Sequence, residues 1–290
     1  MQDLFCDGRL VLSCGEDIRM MCYVQEKDGE KACIQLPDSV LSFVLRGRKW
    51  LYHSGGKVEV AAGEGFFAAR GNYLRSERLA EGPQGYVSLV ISLSDAFLTS
   101  LDRLGDKEEA HPGPVLLLKQ DALLDTLIGQ LAGYFGTPGE KRRVESILPL
   151  KMRELLTLLA SVSSNRGLGT LLRQGPFIQA DPLHALMEAH FRESLRLEQW
   201  AFLAGLSLSS FKRKFEAAYH MPPRRWIQQR RLTEAYTLLG DRRISVTDAC
   251  YTVGFENLAH FVHAFKEYYG FTPKQRQLHE LQRTVAVSGV

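Results

Sequence analysis

The sequence predicts an α+β protein of two domains, with a β-rich N-terminal part and an all-α C-terminal part. Short apolar runs broken by Gly turns fill residues 9–93, whereas apolar residues recur at helical spacing from Ser94 onward. A stretch rich in Ser and Gly at residues 161–175 has the composition of a linker. A chain of 290 residues fits two domains of the usual size. We therefore predict a first domain at 1–175 and a second at 176–290.

The β-rich region covers residues 9–93. Residues 40–45 are apolar or β-branched, and Gly47 follows them. Residues 49–60 contain two runs around Ser54-Gly55-Gly56-Lys57, which has the composition of a hairpin turn. Further glycines divide the rest of the region into short segments. Many short strands with Gly turns favour a sandwich or a barrel.

The remainder of the first domain, residues 94–163, is predicted to be helical. Two apolar stripes at helical spacing are separated by Pro138-Gly139. The second stripe has two interpretations, because it can pack on its own domain or contact a second subunit. The two stripes are Leu123, Leu124, Leu127, Ile128 and Leu131, and Val144, Ile147, Leu148, Met152, Leu155, Leu156 and Leu159.

Composition places the chain among ordinary soluble globular proteins, with 45% apolar and 24% charged residues. The cysteines are odd in number and none is spaced as C-x-x-C, which argues against a disulfide framework and a zinc site. The first residues lack the basic and then apolar pattern of a signal peptide. No apolar run approaches the roughly 18 residues of a membrane span. We expect a cytoplasmic protein with no membrane partner.

Catalytic and metal-binding residues are not predicted. The sequence offers no nucleophile–His–Asp arrangement and no Gly-rich phosphate loop after a strand. His260 and His263 are three positions apart, but no neighbouring carboxylate or Cys completes a ligand set. His53 is the one histidine of the β-rich region, where a metal enzyme would need several. The sequence therefore predicts no cofactor, no metal and no enzymatic activity.

A helix-turn-helix motif is predicted at residues 197–219. After a short first helix, Gly205 permits the turn, and Ser207 is a natural N-cap for the second helix. On that second helix, Phe211 and Phe215 are four positions apart and are expected to face the core. The opposite face is polar and basic, as contact with bases and phosphates requires, and consists of Ser209, Lys212 and Arg213.

The same pattern recurs 50 positions later. Residues 244–269 form two predicted helices around Gly254, and Phe261 and Phe265 repeat the spacing of the buried aromatic pair. An internal repeat at a single spacing indicates two copies of one structural unit. Both copies end in a turn with proline, at His220-Met221-Pro222-Pro223 and at Gly270-Phe271-Thr272-Pro273.

Residues 222–239, between the two copies, read as a helix with proline at its start. At about 1.5 Å per residue such a helix is roughly 27 Å long. Recognition helices that read one face of B-DNA lie about 34 Å apart, so the helix could hold two of them in successive major-groove segments. The second domain also has a positive excess, with 15 Lys and Arg against 11 Asp and Glu. Four arginines of the helix are candidates for phosphate contact, namely Arg224, Arg225, Arg230 and Arg231.

Residues 182–276 resemble the DNA-binding domain of the AraC/XylS family of transcription regulators. The second copy matches the family signature at Gly254-Phe255, Asn257, His260-Phe261, Phe265-Lys266, Gly270 and Thr272-Pro273. The first copy matches at Leu206-Ser207, Phe211, Arg213, Phe215 and Pro223. The connecting helix is similar at Arg224-Arg225-Trp226-Ile227, Arg230-Arg231-Leu232, Ala235, Leu238 and Leu239.

The resemblance implies a fold, partners and a function. Residues 1–175 are expected to form a cupin-like β-sandwich or barrel with dimerisation helices, and the chain is expected to act as a homodimer on promoter DNA with RNA polymerase. Three segments are similar to activators of type III secretion genes within the family, whose N-terminal domain answers to a protein. They are Arg70-Gly71-Asn72-Tyr73, Leu171-Leu172-Arg173-Gln174 and Leu208-Ser209-Ser210-Phe211-Lys212.

Several alternatives stay open at the level of sequence. A regulator of a metabolic operon that responds to a small molecule is the alternative function, and a cupin-type enzyme is a remote one. DNA-binding residues do not separate an activator from a repressor. The second recognition helix has little charge. Two roles therefore stay open for it: it contacts bases directly, or it only anchors the protein on the DNA backbone. The predicted DNA contacts are Leu208, Ser209, Lys212, Arg213, Arg224, Arg225, Arg230, Asn257, Leu258, Ala259 and His263.

Overall fold

The computed structural model describes residues 10–78, 85–101, 113–136, 138–165, 167–173, 182–241 and 243–278. Contacts divide the chain into two compact units, Met1–Pro182 and Leu183–Val290. The predicted boundary between residues 175 and 176 lies outside the described residues. An α+β fold was predicted, and the two units together confirm it, because the first is mainly antiparallel sheet and the second is helical.

The first unit contains two antiparallel sheets. One has six strands in the order β1-β2-β9-β4-β7-β10, and the other has four in the order β3-β8-β5-β6. The predicted hairpin is present, since β5 pairs with β6 and His53 lies opposite Gly56. The strands are β1 (Val11–Cys14), β2 (Ile18–Gln25), β3 (Ala32–Leu36), β4 (Ser39–Arg46), β5 (Arg48–His53), β6 (Gly56–Ala61), β7 (Glu64–Ala68), β8 (Gly71–Arg78), β9 (Tyr86–Leu93) and β10 (Val115–Leu118).

The six-stranded sheet is buried on both faces. On β9, Tyr86 and Val90 point into one hydrophobic core, whereas Leu89, Ile91 and Leu93 belong to another. Because successive side chains of a strand alternate between faces, a strand covered on both sides reads as a nearly continuous apolar run. This explains why the central strands show little alternation of polar and apolar residues.

Helices cover the face of the six-stranded sheet that carries Leu89, Ile91 and Leu93, and their apolar side chains complete the core on that face. The helices are α1 (Asp95–Thr99), α2 (Ala122–Gly133), α3 (Lys141–Ser161) and α4 (Leu168–Arg173), with short 3₁₀ turns at Tyr134–Gly136, Pro138–Glu140 and Ser163–Asn165. Six apolar residues of the α3 stripe are buried with Leu41, Phe43 and Leu89 of the sheet, and only Ile147 of the predicted set is half-buried. Packing on its own domain, the first of the two interpretations, therefore accounts for these six side chains, and dimerisation through α3 stays a prediction.

The elements that the structure describes in the second unit are all helices. Its helices are α5 (Pro182–His190), α6 (Leu197–Leu203), α7 (Leu208–Tyr219), α8 (Pro223–Leu238), α9 (Val246–Thr252) and α10 (Leu258–Tyr269). Three of them begin at a side-chain cap. Ser207 Oγ accepts from Ser210 N at 3.2 Å, Ser245 Oγ from Asp248 N at 3.0 Å, and Asn257 Oδ1 from His260 N at 2.9 Å. None of the described helices combines the length and apolarity needed to cross a membrane.

The two faces of α3 should respond differently to truncation. Leu148 is fully buried and Leu150 is 69% exposed, so Leu148→Ala should destabilise the first unit by about 2–5 kcal/mol. Leu150→Ala is the matched control and should change stability by no more than about 0.5 kcal/mol. Calorimetric unfolding of the two variants measures both effects. Equal melting shifts would contradict the placement of α3.

Candidate nucleic-acid interface

The first helix-turn-helix motif consists of α6 and α7. Gly205 lies in the turn between them with φ of 67°, a left-handed conformation that favours glycine. Phe211 and Phe215 are fully buried, together with Trp200. The Phe215 ring stacks on Tyr219 at a centroid distance of 4.4 Å. This aromatic core fixes which face of α7 points outward.

The outward face of α7 is polar and basic. Ser209, Lys212 and Arg213 are exposed, and at about 100° per residue they share one face of the helix. Within the described part of the chain, Lys212 and Arg213 form no salt bridge, so both charges are available to a ligand. Leu208 at the start of the helix is half-buried. Lys214 is also exposed, but it points about 150° away from the centre of this face.

The second motif, formed by α9 and α10, has the same arrangement of helices and turn as the first, but its outward face carries less charge. Gly254 occupies the turn with φ of 93°, and Phe261 and Phe265 are fully buried. Ala259 is exposed and Leu258 is half-buried. The rest of this face is polar but weakly charged: Asn257 uses its side-chain oxygen to cap α10, and His263 Nδ1 lies 3.8 Å from Glu267.

The arginines of α8 fall into two groups. Arg224 and Arg225 in the first turn are exposed. Arg230 is half-buried and contacts Glu188 of α5 through Nε at 3.0 and 3.1 Å and Glu234 through Nη1 at 3.2 Å. These hydrogen bonds, Glu188 first, raise the pKa of Arg230 above its ordinary value.

Arg231 is also engaged inside the unit. Its guanidinium donates to the backbone oxygens of Phe191, Glu193 and Gly254 at 2.6, 2.9 and 2.7 Å. Arg231 was a candidate for phosphate contact, and in the structure each of its three nitrogens instead donates to a backbone carbonyl.

A cleft of about 860 Å³ opens between the two motifs. Its lining combines the exposed Arg224 with Asn257 and His260 of the second motif. It also contains Arg196 and three carboxylates, Glu193, Glu198 and Glu256. The sequence did not predict this cleft, because its walls come from α6, α8, the start of α10 and two loops that are distant along the chain.

Two family models match this chain. Residues 200–277 match a helix-turn-helix domain, and residues 39–171 match the ExsA N-terminal regulatory domain. The thermoregulatory protein LcrF of Yersinia pestis is 28% identical over 252 residues, which are 84% of this chain and 90% of LcrF. The HTH-type transcriptional regulator ExsA of Pseudomonas aeruginosa is 27% identical over 220 residues, which are 74% and 77% of the two chains.

Solved structures are similar at lower identity. ToxT of Vibrio cholerae aligns over 91% of this chain and 98% of its own, with a TM-score of 0.34 and 14% identity. A transcriptional regulator from Chromobacterium violaceum, described as containing an AraC-type DNA-binding domain, aligns over 34% of this chain and 89% of its own, with a TM-score of 0.32 and 25% identity.

The lysines of α7 permit a matched test of the predicted face. Lys212→Ala should weaken specific DNA binding by about 1–3 kcal/mol if Lys212 contacts a base. Lys214→Ala removes the same charge from the far side of the same helix and should have a much smaller effect. Titration of both variants against specific and random DNA at several salt concentrations measures this. Unchanged binding by a folded Lys212→Ala variant would remove Lys212 from the interface, and equal losses for the two variants would contradict the predicted face.

The same titration separates base contact from phosphate contact. If Lys212 contacts only a phosphate, all sequences weaken alike and the salt slope falls by about one. If it reads a base, the loss is concentrated on the specific site.

Proposed function

Because the chain belongs to the AraC/XylS family of transcription regulators and carries the regulatory domain of its ExsA-like branch, we propose that it activates type III secretion or other virulence genes by binding their promoters. The observation that supports this most directly is the exposed basic face of α7, repeated in position though not in charge by α10. Its site of action is the cytoplasm, where it meets double-stranded DNA and RNA polymerase.

The two motifs divide the work of recognition. Ser209, Lys212 and Arg213 read bases from the major groove, since bidentate and charged donors discriminate between base edges. Leu258 and Ala259 offer only apolar contact, suited to a thymine methyl or a sugar. Most of the charge, and with it most of the salt-dependent affinity, therefore comes from the first motif.

The remaining predicted contacts have different parts in this proposal. Leu208 lies at the edge of the reading face, and Asn257 and His263 flank the apolar pair on α10. Arg224 and Arg225 contact phosphates from the start of α8. Arg230 instead fastens α5 to α8, because Glu188 and Glu234 already occupy its guanidinium.

The effector of the first unit is proposed to be a protein. The space between the two sheets contains a buried ionic cluster, in which Glu77 accepts from Arg75 at 2.7 Å and lies 3.5 Å from Lys49 Nζ. Arg75 also donates to Tyr23 Oη at 2.7 Å. These side chains occupy positions on the inner faces of the strands that a small ligand would need. Such packing supports an effector that binds the outer surface.

Dimerisation belongs to the proposal as well. Since the α3 stripe is buried in its own unit, a homodimer requires other residues. Leu123 of α2 and Leu150 of α3 are large apolar side chains that are 67% and 69% exposed.

A footprint tests the DNA-binding proposal. Residues 176–290 and the full chain should both protect about two helical turns of promoter DNA, because two recognition helices on one chain occupy successive major-groove segments. The protection should be asymmetric, with the stronger half under the first motif. Protection of a single turn would mean that only one motif engages.

A second experiment tests the nature of the effector. Recovery of proteins bound to the full chain from the native cell, beside calorimetry against metabolite fractions, compares the two kinds of effector. A regulating ligand must bind the active and inactive states unequally, so each candidate is added to the DNA titration. A specific small molecule that shifts DNA affinity, with no protein recovered, would overturn the proposed protein effector.

A further inference from the structure

Residues 191–194 belong to the segment between α5 and α6, which connects to the first helix-turn-helix motif and contacts the second. It leads directly into the first motif, and Arg231 of α8 binds it through the carbonyl oxygens of Phe191 and Glu193 at 2.6 and 2.9 Å. The same guanidinium binds the carbonyl of Gly254, in the turn of the second motif, at 2.7 Å. One side chain therefore bridges the entry of one motif and the turn of the other.

Backbone also meets backbone at this point. A Cβ built on Gly254 would lie 2.1 Å from the carbonyl oxygen of Arg192, so no side chain fits there. Two side-chain contacts flank the approach: Ser194 hydrogen bonds to Glu256, and Arg192 forms a 2.5 Å ion pair with Glu234 of α8. We call residues 191–194, Arg231 and Gly254 the joint.

We propose that Arg231 is a positioning residue that fixes the spacing and rotation of the two recognition helices, and so the base-pair spacing that the protein accepts between its half-sites. The inference rests on the proposed DNA binding. Helix α8 connects the two motifs along the chain and packs on both, through Trp226 on the first and Leu232 on the second. The joint adds a second connection, from the entry of the first motif to the turn of the second, which closes the frame.

The chemistry of the joint requires arginine. Its planar fork carries five N–H groups, which can reach three carbonyls in different directions, whereas the single nitrogen of lysine cannot. Burial lowers the pKa of Arg231, opposed by the nearby carboxylates of Glu256 and Glu193. The guanidinium stays charged in any case, because arginine titrates far above neutral pH.

The test varies the DNA as well as the protein. The full chain is titrated against its footprinted site and against sites with one base pair inserted or removed between the half-sites. Each step rotates one half-site by about 35° relative to the other. A rigid frame predicts that wild-type affinity falls about tenfold or more at either altered spacing.

Three variants complete the experiment. Arg231→Lys should lower affinity for the natural site and flatten the dependence on spacing, because the two motifs can then move independently. Arg243→Lys is the control, an exposed arginine of the same unit that belongs neither to the joint nor to the predicted DNA contacts, and it should keep the wild-type profile. Ser194→Ala is a surface change that loosens the joint without touching Arg231, and should flatten the profile to a smaller degree.

The outcomes distinguish the joint from the DNA-binding proposal. Profiles of Arg231→Lys and Ser194→Ala that run parallel to wild type would overturn the positioning role. Should Arg231→Lys fail to fold, the profile of Ser194→Ala decides alone. Absence of any specific site for the wild-type chain would instead overturn the proposed function, and the inference with it.

Discussion

The three carbonyl oxygens gathered by Arg231 are the interaction on which the DNA-binding unit depends. Each motif has an apolar core, around Phe211 and Phe215 in the first and Phe261 and Phe265 in the second, and α8 packs into both through Trp226 and Leu232. Apolar packing is not directional. The half-buried Arg231 adds directional bonds between the motifs, because each N–H points along a fixed direction. The bare backbone of Gly254 is the matching constraint, since any side chain would hold the two surfaces apart.

A fixed arrangement of the two motifs explains how the outward faces of α7 and α10 can differ so much in charge. A recognition helix with little charge binds weakly when alone, and α10 presents mainly Leu258, Ala259 and a neutral cap. Held at a fixed distance from α7, it no longer needs affinity of its own, because binding of the first motif places it in the groove at high effective concentration. Apolar contact then suffices to discriminate, since a thymine methyl or its absence changes the energy of a helix that is already docked.

The sequence predicts the local features of this protein well and the long-range ones poorly. The bounds of α6, α7, α9 and α10 follow from caps, glycine turns and a repeated aromatic pair, all of which act within a few residues. The different contacts that the four arginines of α8 make could not be predicted from the sequence. Arg224 and Arg225 face solvent, whereas Arg230 and Arg231 meet partners about 40 positions away, and sequence spacing carries no sign of that. The packing of the α3 stripe could not be predicted for the same reason, because an apolar helix face looks identical whether its own sheet or a second subunit covers it.

Rigidity in the DNA-binding unit also restricts how regulation can act. An effector that changed the angle between the motifs would have to break the hydrogen bonds of Arg231 to three carbonyl oxygens, and each bond to a charged group contributes about 1.5–3 kcal/mol. An effector can instead change the number of chains on the promoter or the access of the DNA-binding unit to DNA. Neither change breaks the hydrogen bonds of Arg231. The buried cluster of Lys49, Arg75 and Glu77 leads to a similar conclusion for the first unit, because separating charges that are already paired away from water is unfavourable. We therefore expect regulation to work through surfaces that leave both interiors intact, and so to alter occupancy of the promoter while the sequence that is read stays the same.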